Sequence, residues 1–223
     1  MSPPILGAHN TILEACMTRT WKAALPLAAA LALGAPALAQ APAEAGKPKE
    51  EKAAIDQPVK TFKLVDIMKE RKEGEPEDAL HLDLAQYRDK KAVVLFFMSY
   101  TCPVTWRYEK RVGALMEKLG EDVAFVGVKS HAAETVEKTK QFAEARNFAM
   151  PVLYDRRNEV SNYFGVRSTP SFVLIDKAGR LRYIGAFDDN PDEKSVKNRY
   201  LADALEAVLN GRDVAVKRTV VPG

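Results

Sequence analysis

Apolar runs separated by polar turns divide most of the chain into alternating strand and helix segments. The longest run, residues 92–98, is nearly continuous, which is typical of a central strand that is covered on both faces. Further apolar runs and one alternating segment predict shorter strands, and apolar residues spaced three or four apart predict helices. The predicted strands are residues 80–84, 92–98, 123–128, 152–154, 171–176 and 181–185, and the predicted helices are residues 103–119, 132–147, 159–164 and 200–209.

Local signals at the ends of these segments support the same order of elements. Pro103 suits the first turn of a helix, where its missing N–H costs nothing, and Gly165 closes a short helix. Gly179 lies in the turn between the last two strands, which is a hairpin signal. Strands alternating with helices, followed by a hairpin and a last helix at Gly211, predict an α/β fold with three layers.

The first forty residues have the pattern of a secretory signal peptide. Arg19 and Lys22 form a basic start, residues 23–38 are apolar, and Ala37-Leu38-Ala39 matches the small-x-small cleavage pattern. Cleavage there makes Gln40 the first residue of the mature protein. A membrane anchor is the alternative, but two prolines and a glycine interrupt the apolar stretch, and a spanning helix needs about 20 apolar residues.

Three regions are therefore predicted along the chain. Residues 1–39 comprise an upstream extension and a signal peptide whose true start is Met17, and residues 40–60, rich in Ala, Pro, Glu and Lys, form a disordered linker. Residues 61–223 form one domain, and its length suffices for a hydrophobic core. We expect a periplasmic or secreted protein without stable membrane insertion after cleavage.

Charge and cysteine content narrow the function classes. The formal charge is +3, and basic and acidic residues are interspersed without a basic stripe, so no nucleic-acid partner is expected. Of the two cysteines, Cys16 lies in the leader, which leaves Cys102 as a lone thiol. No metal is expected, because His81 and His131 lack a second ligand at metal spacing.

Cys102 follows the central strand and precedes a helix, and this position favours a reactive thiol. Unpaired backbone N–H groups and the helix dipole at a helix N-terminus stabilise the thiolate, which is the nucleophilic form. The alternative is that Cys102 is a small buried hydrophobic residue. Cys102-Pro103, together with Thr169-Pro170 just before a later strand, resembles the thioredoxin-like superfamily. The segments 96–105, 151–155, 163–176 and 179–185 and the last helix are similar to a redoxin (alkyl-hydroperoxide-reductase/thiol-specific-antioxidant-like) family.

The resemblance implies a fold and a set of site residues. The fold is a central mixed sheet with helices on both faces. Cys102 is the nucleophile, and Pro170, in the cis form, faces it. Thr169 shapes the rim to which an extended substrate pairs, and Tyr100 and Trp106 are candidates for an aromatic rim that contacts a partner peptide.

Three departures from the family pattern bear on activity. Thr105 stands where a thioredoxin has its second cysteine, so no internal disulfide forms there, although its hydroxyl suits a hydrogen bond to a Cys102 thiolate. Ser99 matches the peroxiredoxin hydroxyl, but Leu95 replaces the motif's proline and Pro170 replaces its arginine, for which Arg167 and Arg107 are possible substitutes. Members of this branch often continue with a Gly-Cys near the C-terminus, at the point where this sequence stops at Gly223.

These observations leave three functions open. The first is an exported thiol oxidoreductase that uses Cys102 alone in thiol–disulfide exchange, with Thr105 tuning the thiolate. The second is a one-cysteine peroxidase with antioxidant activity, in which peroxide oxidises Cys102 to a sulfenic acid. The third is a redox-inactive binding module. The expected partners are protein or small-molecule thiols and disulfides, peroxides under the second function, and an external reductant; no cofactor is expected.

Overall fold

A seven-stranded mixed sheet organises the part of the chain that this computed structural model describes, residues 51–146 and 148–221. The strand order is β2-β1-β5-β4-β3-β6-β7, with β3 parallel to β4 and antiparallel to β6. The strands are β1 (Lys63–Asp66), β2 (His81–Asp83), β3 (Ala92–Met98), β4 (Val123–Lys129), β5 (Val152–Tyr154), β6 (Ser171–Asp176) and β7 (Leu181–Gly185).

Four α-helices and three short 3-10 helices complete the described residues. The α-helices are α1 (Pro103–Leu119), α2 (Val136–Ala145), α3 (Glu159–Phe164) and α4 (Tyr200–Leu209), and the 3-10 helices are Glu77–Leu80, Leu84–Tyr87 and Glu193–Ser195. The predicted order of strands and helices is confirmed, including the hairpin β6–β7, although β1 was not predicted and α2 is shorter than predicted.

The alternation of side chains along β3 separates two hydrophobic cores. Val94, Phe96 and Met98 point to a core that includes side chains of α1, α2 and α4. Leu95 and Phe97 point to the opposite core, which includes side chains of α3 and of the segment before β1. Because β3 is buried on both faces, its end is a rigid place from which to project the residues that follow it.

Helix α2 begins four residues later than the predicted start at residue 132, and a capping bond explains the difference. The Thr135 hydroxyl accepts a hydrogen bond from the Lys138 backbone N–H at 3.2 Å, which makes Thr135 the N-cap. Residues 131–135 are therefore a loop that follows β4, and this loop carries Glu134 to the site described below.

The predicted linker 40–60 is wrong in its described part. Backbone N–H groups of Ala53, Asp56 and Val59 donate to carbonyl groups of Tyr163, Leu181 and Gly179 at 2.7–2.8 Å. Composition does not reveal this pairing, because the bonds are made by the backbone while the side chains are mostly small or charged. Residues 53–59 are thus ordered, although they precede the predicted boundary at residue 61.

The predicted signal peptide and the linker up to residue 50 lie outside the described residues. Within residues 51–146 and 148–221, no helix has both the length and the apolar character needed to cross a membrane.

Candidate active site

Cys102 is the N-cap of α1 and lies just past the end of β3. Its backbone is extended (φ −86°, ψ 111°), and Pro103 begins the helix, as predicted. The Cys102 N–H donates to Ser99 O at 3.3 Å, and the Thr105 N–H donates to Cys102 O at 3.1 Å, so the turn is held on both sides. The thiol is free and partly exposed, which is what a reaction with an external molecule requires.

The register of the sheet brings the Thr169–Pro170 loop to this cysteine. Phe97 near the end of β3 pairs with Ser171 at the start of β6, so the loop before β6 lies beside the loop after β3. The Thr169–Pro170 peptide bond is cis, and the predicted isomer is thus confirmed. The Cys102 thiol donates to Thr169 O, with 3.2 Å between Sγ and O.

The surroundings of Cys102 favour the thiolate. Partial burial raises the pKa of the thiol, but hydrogen bonds outweigh this effect, and the pKa is lowered overall. The donors are the backbone N–H groups of Thr105 and Val104 and the hydroxyls of Thr169 and Thr105. A pKa below the ordinary range makes the sulfur more nucleophilic near neutral pH than an unperturbed cysteine.

Thr105 lies one helical turn after Cys102 and is completely buried, with 0% of its surface exposed. In the thiol form its hydroxyl oxygen has no hydrogen-bond partner among the described residues. A thiolate at Cys102 is the acceptor that this hydroxyl lacks, since the hydroxyl lowers the pKa of that thiol. A buried polar group without a partner costs stability, so its presence here favours a role in the site.

Tyr100 and Trp106 are joined on the outer side of the site. The Trp106 indole N–H donates to the backbone carbonyl of Tyr100 at 2.9 Å, and the guanidinium of Arg146 lies 5.0 Å from the indole ring centre. Trp106 remains 46% exposed, which is unusual for a tryptophan and leaves ring surface for a partner. The pair stays a prediction as a substrate-binding rim.

Glu134 is a buried residue of the site that the sequence did not indicate. Only 3% of it is exposed, and its Oε1 accepts hydrogen bonds from the Ser99 hydroxyl, from Thr101 N at 3.1 Å and from Thr101 Oγ1 at 2.9 Å. These contacts tie the whole turn before Cys102 to the loop after β4. Thr135, as the N-cap of α2, places residue 134 in the preceding loop, but no sequence signal indicates that this loop residue is buried.

Lys129, at the end of β4, supplies a positive charge near Glu134. The lysine has no exposed surface, its Nζ donates to His131 O at 2.9 Å, and it lies 4.5 Å from the ring centre of Tyr154. Burial lowers the pKa of Lys129, and the negative charge of Glu134 opposes that shift. Lys129 is therefore a buried cation, and the negative charge of Glu134 favours its protonated form.

The groups considered for peroxidase chemistry make their hydrogen bonds with residues other than the Cys102 thiol. The Ser99 hydroxyl bonds Glu134 and also lies 3.0 Å from Thr101 Oγ1. Arg167 is exposed and donates to Asn162 Oδ1 at 3.5 Å. Among the hydrogen bonds of the described residues, neither Arg167 nor Arg107 donates to Cys102. Within the same residues, no group of three or more potential ligands is arranged to hold a metal ion.

Comparison with known proteins places this geometry in a family. The curated thiol-disulfide oxidoreductase ResA of Geobacillus thermodenitrificans (strain NG80-2) is 28% identical over 103 residues, which is 45% of this chain and 57% of ResA. The match thus spans little more than half of that relative's length.

Solved structures give broader coverage. A hypothetical protein, SMc02350 of Sinorhizobium meliloti 1021, is 27% identical with a TM-score of 0.66, over 78% of this chain and 93% of that one. The peroxidoxin BcpB of Mycobacterium tuberculosis is 22% identical with a TM-score of 0.53, over 72% of this chain and 99% of that one. The likeness to BcpB concerns the fold alone.

The structural neighbours confirm the α/β, thioredoxin-like fold. The predicted resemblance to redoxins is confirmed by a family model. The sequence model of the AhpC/TSA family matches residues 55–184, which include Cys102, Thr105 and the Thr169–Pro170 loop. The chain belongs to the AhpC/TSA family.

Proposed function

We propose that this protein is an exported thiol oxidoreductase that uses Cys102 as its single nucleophile in thiol–disulfide exchange. The observation that carries the proposal is the placement of the Cys102 Sγ, which lies at a helix N-terminus and 3.2 Å from Thr169 O in the loop with the cis peptide bond. The match of 103 residues to a thiol-disulfide oxidoreductase supports the same chemistry.

The proposed reaction has two displacement steps. The Cys102 thiolate attacks one sulfur of a disulfide R–S–S–R′, forms the mixed disulfide Cys102–S–S–R and releases R′–S⁻, which takes up a proton. An external thiol R″–SH, as its thiolate, then attacks the mixed disulfide, forms R–S–S–R″ and returns Cys102 as the thiolate. The Thr105 hydroxyl and the N–H groups of the first turn stabilise the sulfur charge at the start and the end of the cycle.

The same geometry suits an extended substrate. In the resting protein the Thr169 carbonyl accepts the thiol proton, and loss of that proton frees the carbonyl to accept a backbone N–H of a bound peptide. Pro170 presents no N–H of its own that a substrate must satisfy. Exposed ring surface of Trp106 lies on the outer side of Cys102 for the side chains of that peptide.

Mass spectrometry of Cys102 after incubation with a low-mass disulfide tests the proposal. We expect a stoichiometric mixed disulfide on Cys102, reversed by an added thiol and absent in Cys102→Ser. Alkylation against pH must also give a Cys102 pKa below the unperturbed value of about 8.5. An unmodified Cys102, or an unperturbed pKa, would show that the thiol is not the activated group we propose.

One-cysteine peroxidase activity is the second candidate, and membership of the AhpC/TSA family is the observation that favours it. It requires peroxide to convert Cys102 to a sulfenic acid, which an external thiol reduces. The involvement of Ser99 with Glu134 weighs against it, because that hydroxyl is not free to assist the reaction. A loss of the free thiol on addition of peroxide that is fast, saturable and abolished in Cys102→Ser would establish peroxidase activity over disulfide exchange.

A further inference from the structure

A cavity of about 270 Å³ adjoins the candidate active site on the side of α3. Thr169 belongs to both, because its carbonyl contacts the Cys102 thiol and the residue also lines the cavity. Phe97 and Val128 form apolar parts of the lining, and the rest comes from the loop after β4, from α3 and from the loop before β6. A group attached to a sulfur at Cys102 is therefore within reach of this cavity.

The polar lining is positively charged. Arg167 is exposed, and its one hydrogen bond from Nη1 goes to Asn162 Oδ1 at the long distance of 3.5 Å, so most of its five donors remain available. Asn158 adds an amide whose Oδ1 has no partner among the described residues. His131 is the other titratable group on the lining, and no aspartate or glutamate is among the lining residues that the structure describes.

The carboxylate of Asp155, which accepts hydrogen bonds from residues of the lining, already has its partners. Asp155 is buried, and its Oδ2 accepts from Ser130 Oγ and from Ser161 N, both at 2.9 Å, while its Oδ1 accepts from Val160 N at 3.2 Å. These hydrogen bonds stabilise the negative charge of Asp155, so the Arg167 guanidinium remains free to bind another anion.

We infer that this cavity selects disulfides that carry a carboxylate near the sulfur that Cys102 attacks, with Arg167 as the residue that binds the carboxylate. The inference rests on the proposed thiol–disulfide exchange and adds a substrate class to it. A planar guanidinium binds a carboxylate through two parallel hydrogen bonds, and the Asn158 amide lies in the same lining for a polar group of the substrate.

The test compares three disulfides of similar size and different charge: 3,3′-dithiodipropionate, 2-hydroxyethyl disulfide and cystamine. The rate of mixed-disulfide formation at Cys102 is measured at one pH and low ionic strength in the wild type, in Arg167→Gln and in Arg107→Gln. Arg107 is the matched control, because it is exposed, carries the same charge and lies on α1 outside the cavity lining. Dividing the variant rate by the wild-type rate removes the intrinsic reactivity of each disulfide.

We expect Arg167→Gln to slow the dianionic disulfide about threefold to fivefold relative to the neutral one, the size expected for one partly exposed ion pair. Arg107→Gln should leave that ratio within experimental error. An equal effect of both variants would show general charge attraction and overturn the cavity assignment. An unchanged ratio in Arg167→Gln would overturn it as well, while mixed disulfides would still support thiol–disulfide exchange. If none of the three disulfides modifies Cys102, the proposed function itself fails.

Discussion

The substitution Thr105→Val tests two effects of the buried Thr105 hydroxyl: its cost to the stability of the reduced protein and its lowering of the pKa of Cys102. Valine keeps the shape of threonine, and Thr105 is fully buried, so the change removes a polar atom without opening a large cavity. In the resting thiol form the hydroxyl oxygen has no hydrogen-bond partner among the described residues. We therefore expect the variant to be more stable than the wild type and less able to form the Cys102 thiolate.

The magnitude follows from the cost of burying an unpaired polar group. Such a group costs about 1–3 kcal/mol, so the free energy of unfolding of the reduced protein should rise by about that amount in Thr105→Val. The pKa of Cys102 should rise at the same time, because one of the hydrogen bonds that outweigh burial is lost. The backbone N–H groups of Thr105 and Val104 and the Thr169 hydroxyl remain, so the increase is only partial.

Urea unfolding and pH-dependent alkylation measure the two effects. Unfolding is followed at a pH low enough to keep the thiol protonated in both states, so that the difference reports the hydroxyl alone. Thr139→Val is the matched control, because Thr139 is also a buried helical threonine, but its hydroxyl donates to Thr135 O at 2.9 Å. That control should lose stability. A loss of stability in Thr105→Val, or an unchanged Cys102 pKa, would refute the reasoning.

Two further predictions concern the turn and the thiol. Glu134→Ala should lower the free energy of unfolding by about 2–4 kcal/mol and slow alkylation of Cys102, because the Thr101 N–H loses its acceptor. Glu134→Gln should retain more of the stability and of the alkylation rate. Glu137→Ala, at an exposed residue, should change neither the stability nor the alkylation rate. Equal effects at residues 134 and 137 would contradict this. The second prediction compares the free energy of unfolding of the wild type with that of Cys102→Ser. The wild type should gain stability relative to the variant as pH rises from the lowered pKa of Cys102 in the folded state towards the unfolded value of about 8.5. The reason is that a lowered pKa in the folded state contributes stability, which is lost as pH falls through that pKa. Urea unfolding across that range checks it, and a difference independent of pH would exclude a lowered pKa.

The sequence predicted those parts of the fold that local patterns determine. The nearly continuous apolar run at residues 92–98 predicted a strand covered on both faces, and Pro103 predicted the first turn of α1. The bounds of α1 and α3 agree with the prediction for the same reason, since Gly165 ends α3 in the left-handed conformation that favours glycine.

The parts that were missed depend on contacts between distant segments. β1 is only four residues long, and it becomes a strand through its pairing with β2 and β5. The segment at residues 53–59 is held by backbone bonds to residues more than a hundred positions later, which leave no trace in hydrophobic periodicity.

In the candidate site, too, features that depend on local motifs were predicted, and features that depend on distant contacts were missed. Cys102 and Pro170 were predicted because each lies in a short motif with a known physical meaning. Glu134 was not, because its role comes from the turn at residues 99–101, 33 residues earlier in the chain. A buried acid is exceptional, so it is informative once burial is known, but burial of a single loop residue does not follow from its neighbours in sequence.

The burial of position 105 defines what a one-cysteine site is able to do. Under the proposed function Cys102 is the only cysteine of the described residues, and Thr105 lies behind it without exposed surface. Thr105 therefore acts on the thiolate and not on the substrate. Release of the bound half of the disulfide then requires an external thiol, which must approach from the open side that Trp106, the Thr169 loop and the adjoining cavity border. Selection of the substrate and access for the reductant thus take place at the same surface, and charge at Arg167 is expected to influence both.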